Sequence, residues 1–235
     1  MNQDETIALF LRCEEARKLA REAALEAGTD KDAAYANAHE AAKTVWNGWT
    51  ETMIAERKAL VEKGEWAAEK NFYGWLEPQN QATKEWMDRA AADFSSLRFE
   101  HPALAQEKEA QTRENKENRQ PPGAVIEVEG DIVDFSGFVF PGEARFGRAK
   151  FRPLEARFWG PRQIFQGLVA AQMKQLPGGA QFSGTAWFDK AHFSCSAWFS
   201  GAQFSGDAGF QEAQFSGTAW FDRAQFSGSA WFGNA

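Results

Sequence analysis

Beyond residue 180 apolar and polar positions alternate with a short, fixed beat. From Ala180 the chain reads AQFSGTAWFDK, AHFSCSAWFSG, AQFSGDAGFQE, AQFSGTAWFDR and AQFSGSAWFGN, and Ala235 opens another unit. Phenylalanines stand at Phe182, Phe188, Phe193, Phe199, Phe204, Phe210, Phe215, Phe221, Phe226 and Phe232, alternately six and five residues apart, each with alanine two residues before it. In an extended chain residues i and i−2 share a face, so Ala and Phe turn inward together while the residue between them turns outward. The Ser-Gly that follows signals a corner. A helix is excluded, because a period of five or six returns no stripe to one helical face and glycine recurs throughout. The pattern predicts a β-solenoid whose coils stack about 4.8 Å apart with identical side chains in register.

Weaker copies extend the beat upstream: Val133-Asp134-Phe135, Phe138-Val139-Phe140, Ala144-Arg145-Phe146, Ala149-Lys150-Phe151 and Ala156-Arg157-Phe158. Ile126, Val128 and Ile132 alternate as an entry strand. Ala92-Asp93-Phe94 and Leu97-Arg98-Phe99 keep the same phase and predict a detached first piece. Residues 159–179 lose it. There Pro161, then Ile164, Phe165, Leu168, Val169, Met173 and Leu176, then Pro177-Gly178-Gly179, predict a short amphipathic helix inserted against one side.

Residues 1–90 are a different material, rich in Ala, Glu and Lys and poor in Gly. A first helix is expected from Asp4 to Ala27, stopped by Gly28. A second is capped by Thr29, with Asp32 three residues on, and runs to Lys63 before Gly64. A third follows Pro78 through Trp86 to Ala92. Trp46, Trp49, Trp66, Trp75 and Trp86 are the expected large core residues, since an Ala-rich helical pair has little else to bury. The organisation is α+β: a helical region over 1–105, a charged linker over 106–123, and a solenoid over 124–235 with an insertion at 159–179. The helices are placed to cover the N-terminal end of the solenoid. The other end carries no cap, so it meets a partner or another copy of itself, or the chain is cut from something longer.

The units Ala180-Gln181-Phe182-Ser183-Gly184 and Ala202-Gln203-Phe204-Ser205-Gly206 resemble the pentapeptide repeat family, whose motif is a small residue at i−2, Leu or Phe at i, then polar or Gly corner residues. The resemblance covers residues 180–235 and implies a right-handed quadrilateral β-helix with one pentapeptide per side. The sequence departs from a strict period of five by an extra small polar residue in alternate segments: Thr185, Ser196, Asp207, Thr218 and Ser229. This reads as a one-residue bulge at a corner, giving coils of 22 residues. A flattened, two-sided solenoid with eleven residues per side is the alternative.

Composition fits this division: of 21 Phe, 17 lie beyond residue 132, against two Tyr in the whole chain. Thirty-three acids against twenty-six bases give a net charge of −7, which disfavours a general nucleic-acid binder. Cys13 and Cys195 lie in unlike contexts and form no disulfide framework, and Met1-Asn2-Gln3-Asp4-Glu5 lacks the basic region of a signal peptide. A soluble cytoplasmic protein with free thiols is expected. Chemistry is sparse. His39, His101 and His192 are isolated, no Cys or His pair has metal-ligand spacing, and no glycine run has the form of a phosphate loop. Cys195 and His192 read as drifted repeat positions, and Glu14, Glu15, Glu51 and Glu56 as solvated helix residues. No enzyme, cofactor or metal is expected.

What remains is surface. Trp187, Trp198, Trp220 and Trp231 occupy the outward position, and Gly209 takes the same place in the middle unit. A 22-residue coil stacks Trp198 under Trp220, and sets Trp187 and Trp231 in a second column with a notch at Gly209. These indoles are either self-stacking ladders or a surface for a partner. The expected function is a non-enzymatic structural or protein-interaction module. Its partner is another protein or a second copy, including a homodimer through the C-terminal solenoid end, with no direct nucleic acid and no membrane. The alternative implied by the resemblance is a DNA-mimicking protein that binds the topoisomerase gyrase. Duplex DNA carries one charge per about 1.7 Å, so the roughly 12 Å of residues 180–235 would need about seven uncompensated acids. The segment has Asp189, Asp207, Glu212 and Asp222 against Lys190 and Arg223.

Overall fold

The computed structural model describes residues 1–71, 76–100, 124–127, 132–151, 155–158, 179–194 and 196–235. Helix α1 spans Gln3–Glu26 and starts from a capping box: Asn2 accepts from the Glu5 N–H while the Glu5 carboxylate accepts from the Asn2 N–H. Helix α2 spans Lys31–Glu62. Its cap is Asp30 rather than Thr29, because the Asp30 carboxylate accepts from both Asp32 and Ala33 N–H groups. Gly28 and Gly64 follow the two helices with φ of +78° and +70°, the left-handed exit that glycine makes without steric cost. Helix α3, Gln81–Ala90, is capped by Asn80 and ends two residues earlier than expected. Before it, Ala68–Lys70 and Leu76–Pro78 form an antiparallel pair that the sequence did not signal. Trp46 and Trp86 are buried, Trp49 and Trp66 are half-buried, and Trp75 lies outside the described residues.

Among the described residues, the other strands are two or three residues long and sort into four parallel sheets. The first holds Ile132–Asp134, Glu155–Arg157, Ser196–Trp198 and Ala219–Trp220. The second holds Val139–Phe140, Gln181–Phe182, Gln203–Phe204 and Gln225–Phe226. The third holds Ala92–Asp93, Ala144–Arg145, Ala186–Trp187, Ala208–Gly209 and Ala230–Trp231. The fourth holds Val125–Glu127, Arg98–Glu100, Lys150–Phe151, His192–Phe193 and Gln214–Phe215. The pairs Gln181–Gln203, Gln203–Gln225 and Trp198–Trp220 show a register of 22 residues, with the strands of each coil distributed over four sheets.

Inside, rings stack face to face along each column and meet edge-on between columns. Phe204 lies 4.7 Å from both Phe182 and Phe226, within 2° of parallel, whereas Phe188 meets Phe199 at 5.3 Å and 85°. The repeats at 92–100 are not detached. Ala92 pairs with Ala144 and Phe99 with Phe151, so the array begins inside the stretch assigned to the helical region. The expected entry strand is two strands on two sheets, with Val125–Glu127 outside Arg98–Glu100 and Ile132–Asp134 beside Glu155–Arg157. Val128, the charged linker at 106–123 and, except for Gly179, the insertion expected at 159–179 lie outside the described residues. On either side of residues 159–178 the register holds: Val139 pairs with Gln181, and the Ala180 N–H donates to the Phe158 carbonyl at 3.0 Å. The Ala202 N–H closes on Phe199 with the same length in the next coil.

Corners alternate between two kinds, which accounts for the alternating five and six. In the tight corner the N–H three residues on bonds back to the Phe carbonyl, and the second corner residue is left-handed: Ser96, Arg148, Lys190, Glu212, Arg223 and Asn234 have φ between 54° and 59°, and Gly137 and Gly201 take the equivalent place. The wide corner holds Ser-Gly plus the extra residue. There glycines of successive coils touch, since a Cβ on Gly206 would stand 2.5 Å from the Gly184 carbonyl oxygen. The extra residue ties coils together where it can: the Asp207 carboxylate accepts from the Ser229 N–H at 2.8 Å.

Helices α1 and α2 cover the N-terminal strand edges of three of the four sheets. Thr6 of α1 accepts from the Asp93 N–H, and the Arg17 Nη2 donates to the Asp134 carbonyl at 3.0 Å. From α2, Trp46 and Thr50 donate to the Val139 carbonyl at 3.0 and 2.6 Å, while Asn47 accepts from the Val139 N–H. On the fourth sheet Val125–Glu127 is the outermost strand, laid over Arg98–Glu100. Apolar plugs accompany these bonds. Phe10 packs on Phe94, Phe99 and Phe135 at 5.3–5.8 Å, and Trp46 stacks on Phe94 and Phe138. At the seam Asp134, 3% exposed, accepts from the Tyr35 hydroxyl at 2.8 Å and the Ser136 N–H at 2.9 Å, and faces His39 Nδ1 at 3.6 Å. Burial works to raise its pKa, yet His39, Arg17 and the Ser136 bonds together hold it below the usual carboxylate range.

Three expectations follow from this packing. Phe204→Ala, removing a ring from mid-column, should cost about 3–5 kcal/mol, whereas Gln203→Ala should cost less than about 0.5 kcal/mol; equal melting shifts would refute the inward and outward assignment. Gly206→Ala should cost about 1–3 kcal/mol by overpacking the wide corner, whereas Arg148→Gly relieves a left-handed residue and should hold or raise the melting temperature. A depressed folded pKa means that Asp134 contributes stability above its unfolded value of about 3.9, lost as pH falls through the folded value. Asp134→Asn should therefore be less stable at neutral pH, and denaturant titrations from about pH 5 to pH 3 should show a shallower decline than wild type. A wild-type decline no steeper than the variant's would remove the carboxylate from that role.

Candidate functional site

The residue between each inward Ala and Phe stacks on its counterpart in the next coil, so every sheet displays one outward column. The second sheet shows the exposed ladder Gln181, Gln203 and Gln225. The fourth shows Arg98, Lys150, His192 and Gln214. On the first, Trp198 lies over Trp220 with ring centres 5.3 Å apart and planes within 8°, following Asp134 and Arg157 in register. The third shows Asp93, Arg145, Trp187, Gly209 and Trp231.

The notch expected at Gly209 is filled. The Trp187 ring lies across that glycine, where an added Cβ would come within 2.7 Å of it, and stacks on Trp231 at 6.2 Å and 7°. Only the missing side chain lets two indoles from alternate coils meet. Glu143 anchors the arrangement: one carboxylate oxygen accepts from the Trp187 Nε1 at 2.7 Å, and the other accepts from the Arg145 Nε at 3.0 Å. All four tryptophans are half-buried, each pair presenting a stacked edge held by a rigid sheet. Beneath them Phe182, Phe188, Phe193, Phe199, Phe204 and Phe210 are buried. Phe215, Phe221 and Phe226 are half-buried, and Phe232, stacked on Phe210 by one face, is 43% exposed.

The remaining candidate chemistry is placed as follows. Cys13 is buried, and burial above all pushes its thiol pKa up to about 12, which keeps it protonated and a poor nucleophile. His39 sits in the Asp134 seam, and His192 is half-buried in the fourth column. His101 and Cys195 lie outside the described residues. Glu15 and Glu51 are exposed, but Glu14 is not solvated: its side chain is 11% exposed and faces Arg17 at 3.4 Å. Glu56 pairs with Arg89 from α3 at 2.8 Å. Among the described residues no three His, Cys, Asp or Glu side chains come together as metal ligands, and no described helix is long and apolar enough to cross a membrane.

Two concave regions escaped sequence reasoning. One, about 620 Å³, runs between α3 and the third sheet and includes Trp66, Trp86, Leu76 and Trp187. The other, about 560 Å³, lies between α1, α2 and the first sheet and is rich in Arg and Lys. The only signal in the chain for the second is Arg17 and Arg21 four residues apart on α1, a spacing that puts both on one face.

A family model described as pentapeptide repeats in nine copies matches residues 178–224 and, in an overlapping placement, residues 188–235. No curated protein and no solved structure matches the chain. The inward Ala and Phe, the Ser-Gly corners and the 22-residue register lie in the matched stretch, and residues 178–235 of this chain are an array of pentapeptide repeats.

Proposed function

We propose that this chain is a non-enzymatic protein-interaction module, acting in the cytoplasm. In this reading the four sheets are the sides of a right-handed quadrilateral β-helix, sealed at its N-terminal end by α1 and α2, and the outward columns meet a protein partner. The observation that carries it is the pair of stacked, half-buried indole couples, Trp187 with Trp231 and Trp198 with Trp220. Aromatic side chains already fixed by their neighbours lose little entropy on binding and bury large area, which makes them efficient anchors. A second copy engaging the coil of Phe215, Phe221, Phe226 and Phe232 is the homotypic form of the same reading. DNA mimicry draws no support from the columns, where Gln, Trp and basic residues outnumber carboxylates.

The test replaces Trp187, Trp198, Trp220 and Trp231 together by Ser and compares affinity capture from the source cell with wild type, alongside circular dichroism and melting. The interaction reading expects a specific captured protein that is lost with the variant while the β spectrum persists. Identical captured proteins from both chains, or no specific protein with wild type and a large fall in melting temperature for the variant, would leave the indoles as internal ladders only.

A further inference from the structure

We infer that the groove between α1, α2 and the first sheet binds a small organic polyanion bearing phosphate or carboxylate groups. Arg17, Lys18 and Arg21 reach it from α1, Lys31 from α2 and Arg157 from the solenoid, so that cations from three separate elements converge on one concavity. Among the described residues they face two carboxylates, Glu14 and Asp32, in a chain whose net charge is −7. Lys18, Arg21 and Lys31 are exposed, and none has an ion pair among the described residues. An excess of cations in a concavity, set against the sign of the whole molecule, favours an ion of opposite charge.

The floor of the groove is built rather than loose. Arg17 is 8% exposed. Its Nη2 donates to the Asp134 carbonyl and its Nη1 faces Glu14 at 3.4 Å, while its buried Nε has no hydrogen-bond partner among the described residues. Both Glu14 carboxylate oxygens beside it are buried as well, so Arg17 and Glu14 form a fixed floor to the groove. The Arg157 guanidinium stands 5.8 Å over the Tyr35 ring, which fixes its orientation. Leu25, Ala38 and Ile132 add an apolar wall, suited to a carbon skeleton more than to a bare inorganic ion. At about 560 Å³ the groove falls in the range for small ligands. A long nucleic acid would extend beyond this one groove into the field of an acidic protein, which favours the small molecule.

Calorimetric titration of the full chain at constant ionic strength, with citrate and pyrophosphate as probes, tests the site. Saturable one-to-one binding of at least one probe is expected, and the tighter of the two separates carboxylate from phosphate recognition. The combined variant Lys18→Gln, Arg21→Gln, Lys31→Gln should weaken Kd by about tenfold or more while its ligand-free melting temperature matches wild type. Lys18→Arg with Lys31→Arg should retain binding. The inference is overturned by any of three results: no saturable binding of either probe up to about 10 mM, unchanged affinity in the combined Gln variant, or a single-stranded oligonucleotide that binds more tightly than both probes.

Discussion

Face-to-face contact between phenylalanine rings, 4.7–4.9 Å apart in columns that run through successive coils, is the constraint on which the solenoid depends. That spacing is also the distance between hydrogen-bonded strands, so ring stacking and backbone pairing demand the same rise. Strands of two or three residues contribute few backbone bonds each. They hold because each is locked to the strands before and after it by inward rings lying within a few degrees of parallel, 1–5° in these columns. A shift by one residue would expose every ring and bury every glutamine, so the register is strongly determined.

The same demand shapes the periphery. Close coils leave no room for a Cβ where wide corners stack, hence the line of Gly142, Gly184, Gly206 and Gly228. Tight corners accept left-handed Lys, Arg and Glu at a steric cost that the two flanking columns outweigh. At the N-terminal end the stack has to stop without leaving donors and acceptors open. Its last strands bond to side chains instead: Thr6, Arg17, Trp46, Asn47 and Thr50 replace the missing coil. Asp134 shows how far this substitution goes, since a position that points to water elsewhere in the array is here folded under two helices.

Legibility in the sequence followed locality. Ala-x-Phe-Ser-Gly encodes face, corner and period within five residues, so the array from Ala180 onward could be read directly, as could the helix ends at Gly28 and Gly64. The choice of Asp30 over Thr29 turned on a carboxylate able to take two N–H groups, a detail of geometry. Membership of 92–100 in the array was hidden because its partners, Ala144 and Lys150, lie beyond a long intervening stretch. The seam around Asp134 and the basic groove each combine side chains from α1, α2 and the solenoid, and no window of sequence contains them together. The column of Trp187 and Trp231 was legible but the filling of its notch was not: periodicity fixes where a Cα stands but not that a ring reclines over a neighbouring glycine.

The hydrogen bond from the Ala180 N–H to the Phe158 carbonyl joins residues that elsewhere in the array are three apart, and the coil around it keeps its register. A corner of this kind is a splice point. Its two ends are held a turn's width apart by the columns on either side, whatever length of chain runs between them. The entropy of closing such a loop grows only slowly, by roughly 0.6 kcal/mol for each doubling of length. At this corner the array therefore fixes where the chain leaves and where it returns, and the register of the next coil is set by the columns alone.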